Sequence, residues 1–381
     1  MMTLPGSTIG MLGGGQLGRM FTMAARSMGY EVIVLDPDPD SPAGKLATDH
    51  VCANYNDQTA LDYLAKTSNV VTTEFENVPA STLDALANSC PVRPGAKAVM
   101  ITQDRIHEKT FLRDNDFPTA PFAIIKKESD LAAGLKTVQA PAILKVSPFG
   151  YDGKGQFSIE SEDDLSAAWQ ALQGNECVLE QRVLLDREVS VVLARSTDGQ
   201  TVTYPVAENI HQGGILDISM VPARIDDSMG EQVVSMATQI AKALDYVGVM
   251  AVEFFISRGK ILVNEIAPRP HNSGHYTLDA AVTSQFEQQV RAVCGLPLGD
   301  TRLLSPVVMV NLLGDLWHNG KPPAWAALLS HPNAKLHLYG KREARPGRKM
   351  GHYNVLATEL ENALSLATDI KWQLANNAAE D

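Results

Sequence analysis

Cysteine is scarce in this chain. The four that occur, Cys52, Cys90, Cys177 and Cys294, lie far apart with no C-x-x-C pair. That spacing suggests neither a zinc site nor a disulfide framework and points to a reducing, cytoplasmic setting. Long apolar runs are missing too: none approaches the ~20 residues that span a bilayer, and the start lacks a basic stretch followed by an apolar one. Secretion and membrane insertion are therefore not expected. Positive charge is short as well, with 32 Lys and Arg against 44 Asp and Glu, a formal net charge of −12. Nucleic-acid binders show a basic face and usually a basic balance. A small-molecule partner held by local basic residues is expected instead. No internal repeat or low-complexity segment is evident. What remains is the composition of an ordinary globular protein, with 381 residues giving room for two or three cores.

The N-terminal part alternates strand and helix. Ser7 to Leu12 reads as a strand, Gly13 to Gly18 as a glycine turn, Arg19 to Met28 as an amphipathic helix and Glu31 to Asp36 as a second strand. Val70 to Pro79 supplies a later strand whose end holds Glu74, Glu76 and Asn77. Such alternation predicts a doubly wound parallel sheet with ligands at the carboxyl ends of its strands, where Gln16, Asp36 and Glu74 to Asn77 fall. GGGQLG fits G-x-G-x-x-G, and Asp36 stands about where a dinucleotide ribose would need it. Nothing later in the chain looks like a hydride-transfer site, so the turn is read as a cradle for the phosphate of a substrate rather than for NAD.

From about residue 106 to 295 strands come in runs with helices inserted, an α+β pattern. Helix starts are marked by Thr102 or Asp104, Ser129, Ser161 and Ser228. Between the strands Ala142 to Val146 and Phe157 to Glu160 lies SPFGYDGKGQ, whose glycines at 150, 153 and 155 let backbone N–H groups approach an anion and let the loop close over it. Lys145 on the preceding strand brings a second ammonium beside Lys154. Glu180 and Glu188 are acids beside apolar strands, read either as solvated edge carboxylates or as partners of a nucleoside, with the backbone of Gln181 to Val183 available for its base.

The stretch from Val249 to His275 carries the strongest signal. Two apolar runs flank Ser257 to Lys260 and read as a β-hairpin, yet each carries a carboxylate, Glu253 and Glu265. A three-residue loop sets Glu253 opposite Glu265; a two-residue loop sets it opposite Asn264. Facing carboxylates are destabilising unless something positive lies between them. Both registers gather the oxygen ligands that suit Mg²⁺ together with phosphate oxygens. The loop that follows carries Arg269, His271, Asn272 and His275. The last 85 or so residues hold two strands, a helix from Thr358 to Leu374, and a concentrated basic stretch, Lys341 to His352, in which Pro346 and Gly347 fix a turn suited to aiming Lys341 and Arg348 inward.

A strand lysine, a glycine-rich lid, an E-x-x-V hinge and acids from two strands ending in N-E together resemble the ATP-grasp superfamily. Within it the chain is similar to the N5-carboxyaminoimidazole ribonucleotide synthase family through GGGQLGRM, LDPDPDSPA, EFENVP, QDRIHEKTFL, GYDGKGQ, ENIHQGGILD and NEIAPRPHNSGH. The resemblance implies an ATP-grasp fold (1–104 a pre-ATP-grasp domain, 105–296 the ATP-grasp domain, 297–381 a small β-rich domain) and a cytoplasmic homodimeric ligase. It implies that ATP and bicarbonate carboxylate aminoimidazole ribonucleotide through carboxyphosphate, in purine biosynthesis. ATP would be held by Arg105, Lys145, the lid residues Gly150, Tyr151, Asp152, Gly153, Lys154, Gly155 and Gln156, the hinge Glu180, Gln181, Arg182 and Val183, then Glu188 and His211. Glu253 and Glu265, assisted by Asn264, would hold Mg²⁺. Gln16, Glu74, Asn77, Tyr151, Asp152, Arg269, His271, Lys341 and Arg348 would hold the ribonucleotide and the carboxyl group. Asp152, Arg269, His271 and Lys341 would take part in the chemistry, with His271 and Asp152 the first candidates to accept the amine proton.

Overall fold

Continuous runs of Val, Ile and Leu, buried on both faces, build a parallel sheet at the N-terminal end. The computed structural model, which describes residues 2–147, 155–317 and 320–376, orders its four strands Asp49–Val51, Glu31–Leu35, Thr8–Leu12 and Val70–Thr73. The helix Gln16–Ser27 follows the first strand directly, starting earlier than the apolar spacing predicts because the glycine turn feeds straight into it. Its apolar face packs with Ile9, Met11, Val32 and Val34 against Phe286, Val290 and Val293 of the helix Gln285–Cys294.

That second helix joins two sheets. Gln289 is fully buried, donates to Thr72 Oγ1 at 2.9 Å and accepts from the Val249 N–H at 2.5 Å, so one amide ties the parallel sheet to the next layer. The layer is a nine-stranded antiparallel sheet in the order Lys260–Ala267, Gly248–Ser257, Arg187–Arg195, Ala207–Gln212, Ile215–Val221, Val307–Leu313, Lys349–Leu356 and Ala334–Leu338, with Thr201–Thr203 beside Arg187–Arg195. It runs across the expected boundary at 296/297: Ile218 pairs with Val310 and Met220 with Val308. Basic residues near 341–349 are thereby carried on the same sheet as the paired glutamates. The helix Asp227–Ala243 covers one face; its cap is Asp226, which accepts from Met229 N at 2.8 Å, rather than Ser228.

A separate four-stranded antiparallel sheet, ordered Phe122–Ile125, Cys177–Gln181, Ala142–Val146 and Gln156–Ile159, forms the second lobe. Its register pairs Ile143 with Glu180 and Lys145 with Gln156. The helix Arg105–Asp114 lies under it, capped by Asp104 Oδ1, which accepts from Ile106 N at 2.8 Å and His107 N at 3.1 Å.

No helix among the described residues is long and apolar enough to cross a membrane.

Candidate active site

At the end of the first strand Gly13 turns with φ 98°, and Gly18 is fixed by space, since a Cβ there would lie 2.8 Å from the Gly13 oxygen. The N–H groups of its four glycines, Gly13, Gly14, Gly15 and Gly18, are already taken. Glu74 accepts from Gly15 N at 2.7 Å and Gly18 N at 3.0 Å, while Asp36 accepts from Gly14 N at 2.6 Å and from the Tyr55 hydroxyl at 2.9 Å. This corrects the reading of the turn as a phosphate cradle, because a phosphate there would sit against a buried carboxylate. Burial pushes the Glu74 carboxyl up, against the two N–H groups and the charge of Arg269. Asp36 likewise is committed within the turn rather than presented to a ribose. Calorimetry with NAD or NADP should accordingly give no binding heat, and tight dinucleotide binding would contradict this assignment.

In the second lobe the centre is Glu180. Lys109 approaches one of its oxygens at 2.5 Å and Lys145 pairs with the other. Lys109 also donates to the Asn264 carbonyl at 2.9 Å, linking the second lobe to the acidic hairpin. Burial alone would raise the Glu180 carboxyl; the two ammoniums outweigh it and hold it at about 2. Because this pKa is depressed on folding, its stabilisation is complete above the ordinary carboxylate range and is lost as pH falls toward about 2. Lys109→Met should therefore lower stability by on the order of 2 kcal/mol, short of the about 3 to 5 for an abandoned buried charge because Lys145 remains, and should move acid unfolding to higher pH. Chemical denaturation at neutral and acid pH checks both.

Lys109 and its neighbour Glu108 were not among the sequence candidates. Glu108 accepts from Ile266 N at 2.5 Å, and burial, opposed by Lys109 and reinforced by Glu265, pushes its carboxyl up to about 8. The signal that could have found Lys109 is its spacing of three from both Ile106 and Leu112, which puts it on the buried face of its helix.

The remaining nucleotide candidates divide. Arg105 opens its helix and donates its N–H to the Ser147 carbonyl at 3.2 Å. Gln156 starts the strand that pairs with Lys145, and Gly155 just before it accepts from Val146 N at 2.9 Å. Gly150, Tyr151, Asp152, Gly153 and Lys154 lie outside the described residues. In the hinge, Gln181 N and Arg182 N donate to the carbonyls of Pro121 and Pro141, both at 2.9 Å, so of the three N–H groups expected to serve a base these two are committed to the lobe's own framework and Val183 is left as the candidate. The Arg182 side chain turns to Glu160 at 2.6 and 3.1 Å. His211 Nδ1 lies 2.8 Å from Glu188 Oε2. Burial disfavours charge on His211, but Glu188, Glu253 and Glu265 together raise it above its ordinary range.

The hairpin resolves the two open registers by using both. Ser257 pairs with Lys260 around a two-residue turn, Arg258 and Gly259 with φ 49° and 72°, yet Glu253 still pairs with Glu265. A bulge at Asn264 absorbs the difference, and Asn264 Nδ2 comes 3.5 Å from Glu253 Oε2. Glu253 is held below the ordinary carboxylate range against its burial by the hydrogen bond of His271, whose Nε2 is 3.1 Å away, with His211 and Lys349 adding to it. Glu265, buried beside that charge, is pushed up. Two like charges in one buried place fit a cation between them. Among the described residues no group of three or more His, Cys, Asp or Glu is placed to hold a metal ion by itself.

Arg269 bridges this centre to the first sheet through Glu76 Oε2, at 2.7 and 2.9 Å. Burial disfavours its charge, but Glu76 above all, then Glu74 and Glu265, raise it further. Glu76 is a third residue without an assigned role in the sequence reading, although it stands in the quoted EFENVP; Gln103 Nε2 fixes its turn by donating to Glu76 O at 2.5 Å and to Val78 O. Asn77 is partly buried in the same turn. Lys341 donates to Gln16 Oε1 at 2.5 Å and to the Lys349 carbonyl at 2.7 Å, so the basic stretch does reach the first helix. Arg348 donates within its own loop, to Glu343 O at 2.9 Å.

A separate antiparallel lobe with a lysine-clamped acid, paired glutamates on a bulged hairpin and an N-terminal parallel sheet are the arrangement of an ATP-grasp ligase. Three family models match in order: the ribonucleotide synthetase preATP-grasp domain over residues 6–103, the ATP-grasp domain over 110–286 and the phosphoribosylaminoimidazole carboxylase C-terminal domain over 307–365. The chain is 44% identical to the N5-carboxyaminoimidazole ribonucleotide synthase of Bacillus subtilis (strain 168), over 97% of this chain and 96% of that protein. A solved ADP complex of an N5-carboxyaminoimidazole ribonucleotide synthetase superposes with a TM-score of 0.92 at 43% identity, covering 99% of both chains. The Aspergillus clavatus synthase solved with ADP and 5-aminoimidazole ribonucleotide gives 0.90 at 31% identity, covering 97% of this chain and 99% of that one. The chain belongs to the N5-carboxyaminoimidazole ribonucleotide synthase family.

Proposed function

We propose that this chain uses ATP and bicarbonate to carboxylate the exocyclic amine of 5-aminoimidazole ribonucleotide, with each step assigned to particular residues. A bicarbonate oxygen attacks the γ-phosphorus of ATP, the bond to ADP breaks, and carboxyphosphate forms. It breaks down to CO₂ and phosphate; the amine adds to CO₂ and gives its proton to Asp152. Lys145, Lys109 and Arg105 stabilise the polyphosphate side, and Glu188 with His211 orients the nucleoside. Arg269, held by Glu76, presents a fixed positive charge where negative charge develops on the transferred group. Glu253 and Glu265, with Asn264, are proposed to hold Mg²⁺, which when bound would neutralise phosphate charge. Gln16, Asn77, Lys341 and Arg348 are proposed to hold the ribonucleotide, and Asp152 and Tyr151 of the lid to close over it and exclude water. Glu74 acts by shaping the glycine turn.

The observation that carries this reading is the Lys341 to Gln16 contact, which brings together residues 325 positions apart, from the basic stretch and the first helix. Phosphate release from ATP, with aminoimidazole ribonucleotide and bicarbonate varied independently, tests it: release should require both. Release that ignores the ribonucleotide would remove the substrate assignment. A cytoplasmic homodimer is part of the same proposal, and light scattering checks the dimer.

A further inference from the structure

Behind His271 a buried line of polar side chains crosses three strands of the large sheet. Ser219 Oγ donates to Asn209 Oδ1 at 2.7 Å, Asn209 Nδ2 donates to Ser190 Oγ at 2.9 Å, and Ser190 Oγ donates to Ser273 Oγ at 2.7 Å. Ser273 Oγ in turn lies 2.9 Å from His271 Nδ1. The register explains the alignment: Asn209 pairs directly with Ser219, and Ser190 pairs with Glu253, whose Oε1 is 3.1 Å from His271 Nε2. Ser219, Ser190 and Ser273 are fully buried and Asn209 is 5% exposed, so these groups are turned toward one another and away from bulk solvent.

Counting protons gives the line a direction. The Asn209 amide places its oxygen toward Ser219 and its nitrogen toward Ser190; the oxygen can only accept, so Ser219 donates to it, and the nitrogen can only donate, so Ser190 accepts. Ser190 has one proton and passes it to Ser273; Ser273 has one and passes it to Nδ1. The Ser273 backbone N–H also points at Nδ1, at 3.3 Å, and can only donate. Two donors converge on Nδ1, which therefore carries no proton, and the ring proton lies on Nε2, facing Glu253.

We propose that Ser219, Asn209, Ser190 and Ser273 are positioning residues that hold His271 as its Nε2–H tautomer, so that the imidazole acts as a hydrogen-bond donor at Glu253 and does not collect the amine proton. The consequence for the reaction rests on the functional reading above; the tautomer itself does not. Asparagine and serines inside otherwise apolar strands are then explained by one task, fixing the ring that orients a carboxylate of the acidic pair.

The test is two-bond ¹H–¹⁵N correlation on the full-length protein labelled with ¹⁵N-histidine, with the His271 signals assigned by their loss in His271→Asn. Nδ1 should resonate as a bare ring nitrogen and Nε2 as a protonated one. Ser190→Ala should give a mixture of tautomers and lower kcat for phosphate release about 10- to 100-fold at unchanged KM for ATP. A proton on Nδ1 in the parent overturns the proposal, and so does a Ser190→Ala protein with both the tautomer and kcat unchanged. If Ser190→Ala does not fold, the parent spectrum alone decides. Failure of the functional reading shows separately, as a parent protein whose phosphate release ignores the ribonucleotide.

Discussion

Glu265→Gln is expected to lower ATP turnover about 100- to 1000-fold, the scale of losing one electrostatic contact to developing charge, while leaving the unliganded protein folded and more stable at neutral pH. The two effects have one cause. Glu265 is buried opposite Glu253, and burial together with that neighbour's charge raises its carboxyl. A carboxyl raised on folding binds its proton more tightly in the native state, so stability is highest below the ordinary carboxylate range and falls as pH rises through the raised value. Gln removes the repulsion and keeps the shape. It also removes a hard oxygen ligand, since an amide holds a divalent ion far more weakly than a carboxylate. Thermal unfolding at neutral and acid pH, beside phosphate release at saturating Mg²⁺, separates the contributions. Unchanged turnover would take Glu265 out of the site.

Lys341→Met should cost about 30- to 1000-fold in the ribonucleotide-dependent step, or about 2 to 4 kcal/mol, and leave ATP affinity nearly untouched. The ammonium is held by Gln16 and the Lys349 carbonyl and lies 5.5 Å from the centre of the Tyr339 ring, so it is fixed before any ligand arrives. Arg348 is expected to matter less in the same assay, since it donates to Glu343 in its own loop. Equal use of the ribonucleotide by Lys341→Met and the parent would mean that the basic stretch only covers the first helix.

What the sequence offered and withheld follows from how local each feature is. Glu253 and Glu265 were readable because an acid inside an apolar, strand-forming run contradicts its surroundings. The bulge at Asn264 was not, since turn length and carboxylate pairing each favoured a different register and only the whole hairpin reconciles them. The clamp on Glu180 was half visible: Lys145 stands out on a short strand, whereas Lys109 hides among the charges of RIHEKTFLRD until helical spacing is applied. Glu74 was legible at the right strand end but its direction was not, because nothing local says that a carboxylate will fill a glycine turn 59 positions earlier. The continuous sheet through Ile218 and Val310 has no local signature either; strands so far apart pair through packing that no short window contains. The lid was read from its glycines, and its centre lies outside the described residues.

The reading of this chain as a bicarbonate-activating ligase is tested most directly with ¹⁸O-labelled bicarbonate. If a bicarbonate oxygen attacks the γ-phosphorus, breakdown of carboxyphosphate leaves that oxygen on phosphorus. Phosphate formed in the presence of aminoimidazole ribonucleotide should then carry one ¹⁸O per turnover, detected by mass spectrometry or by the isotope shift in ³¹P spectra. Phosphate that carries oxygen from water alone would contradict the account, because ATP would then be hydrolysed without bicarbonate being activated.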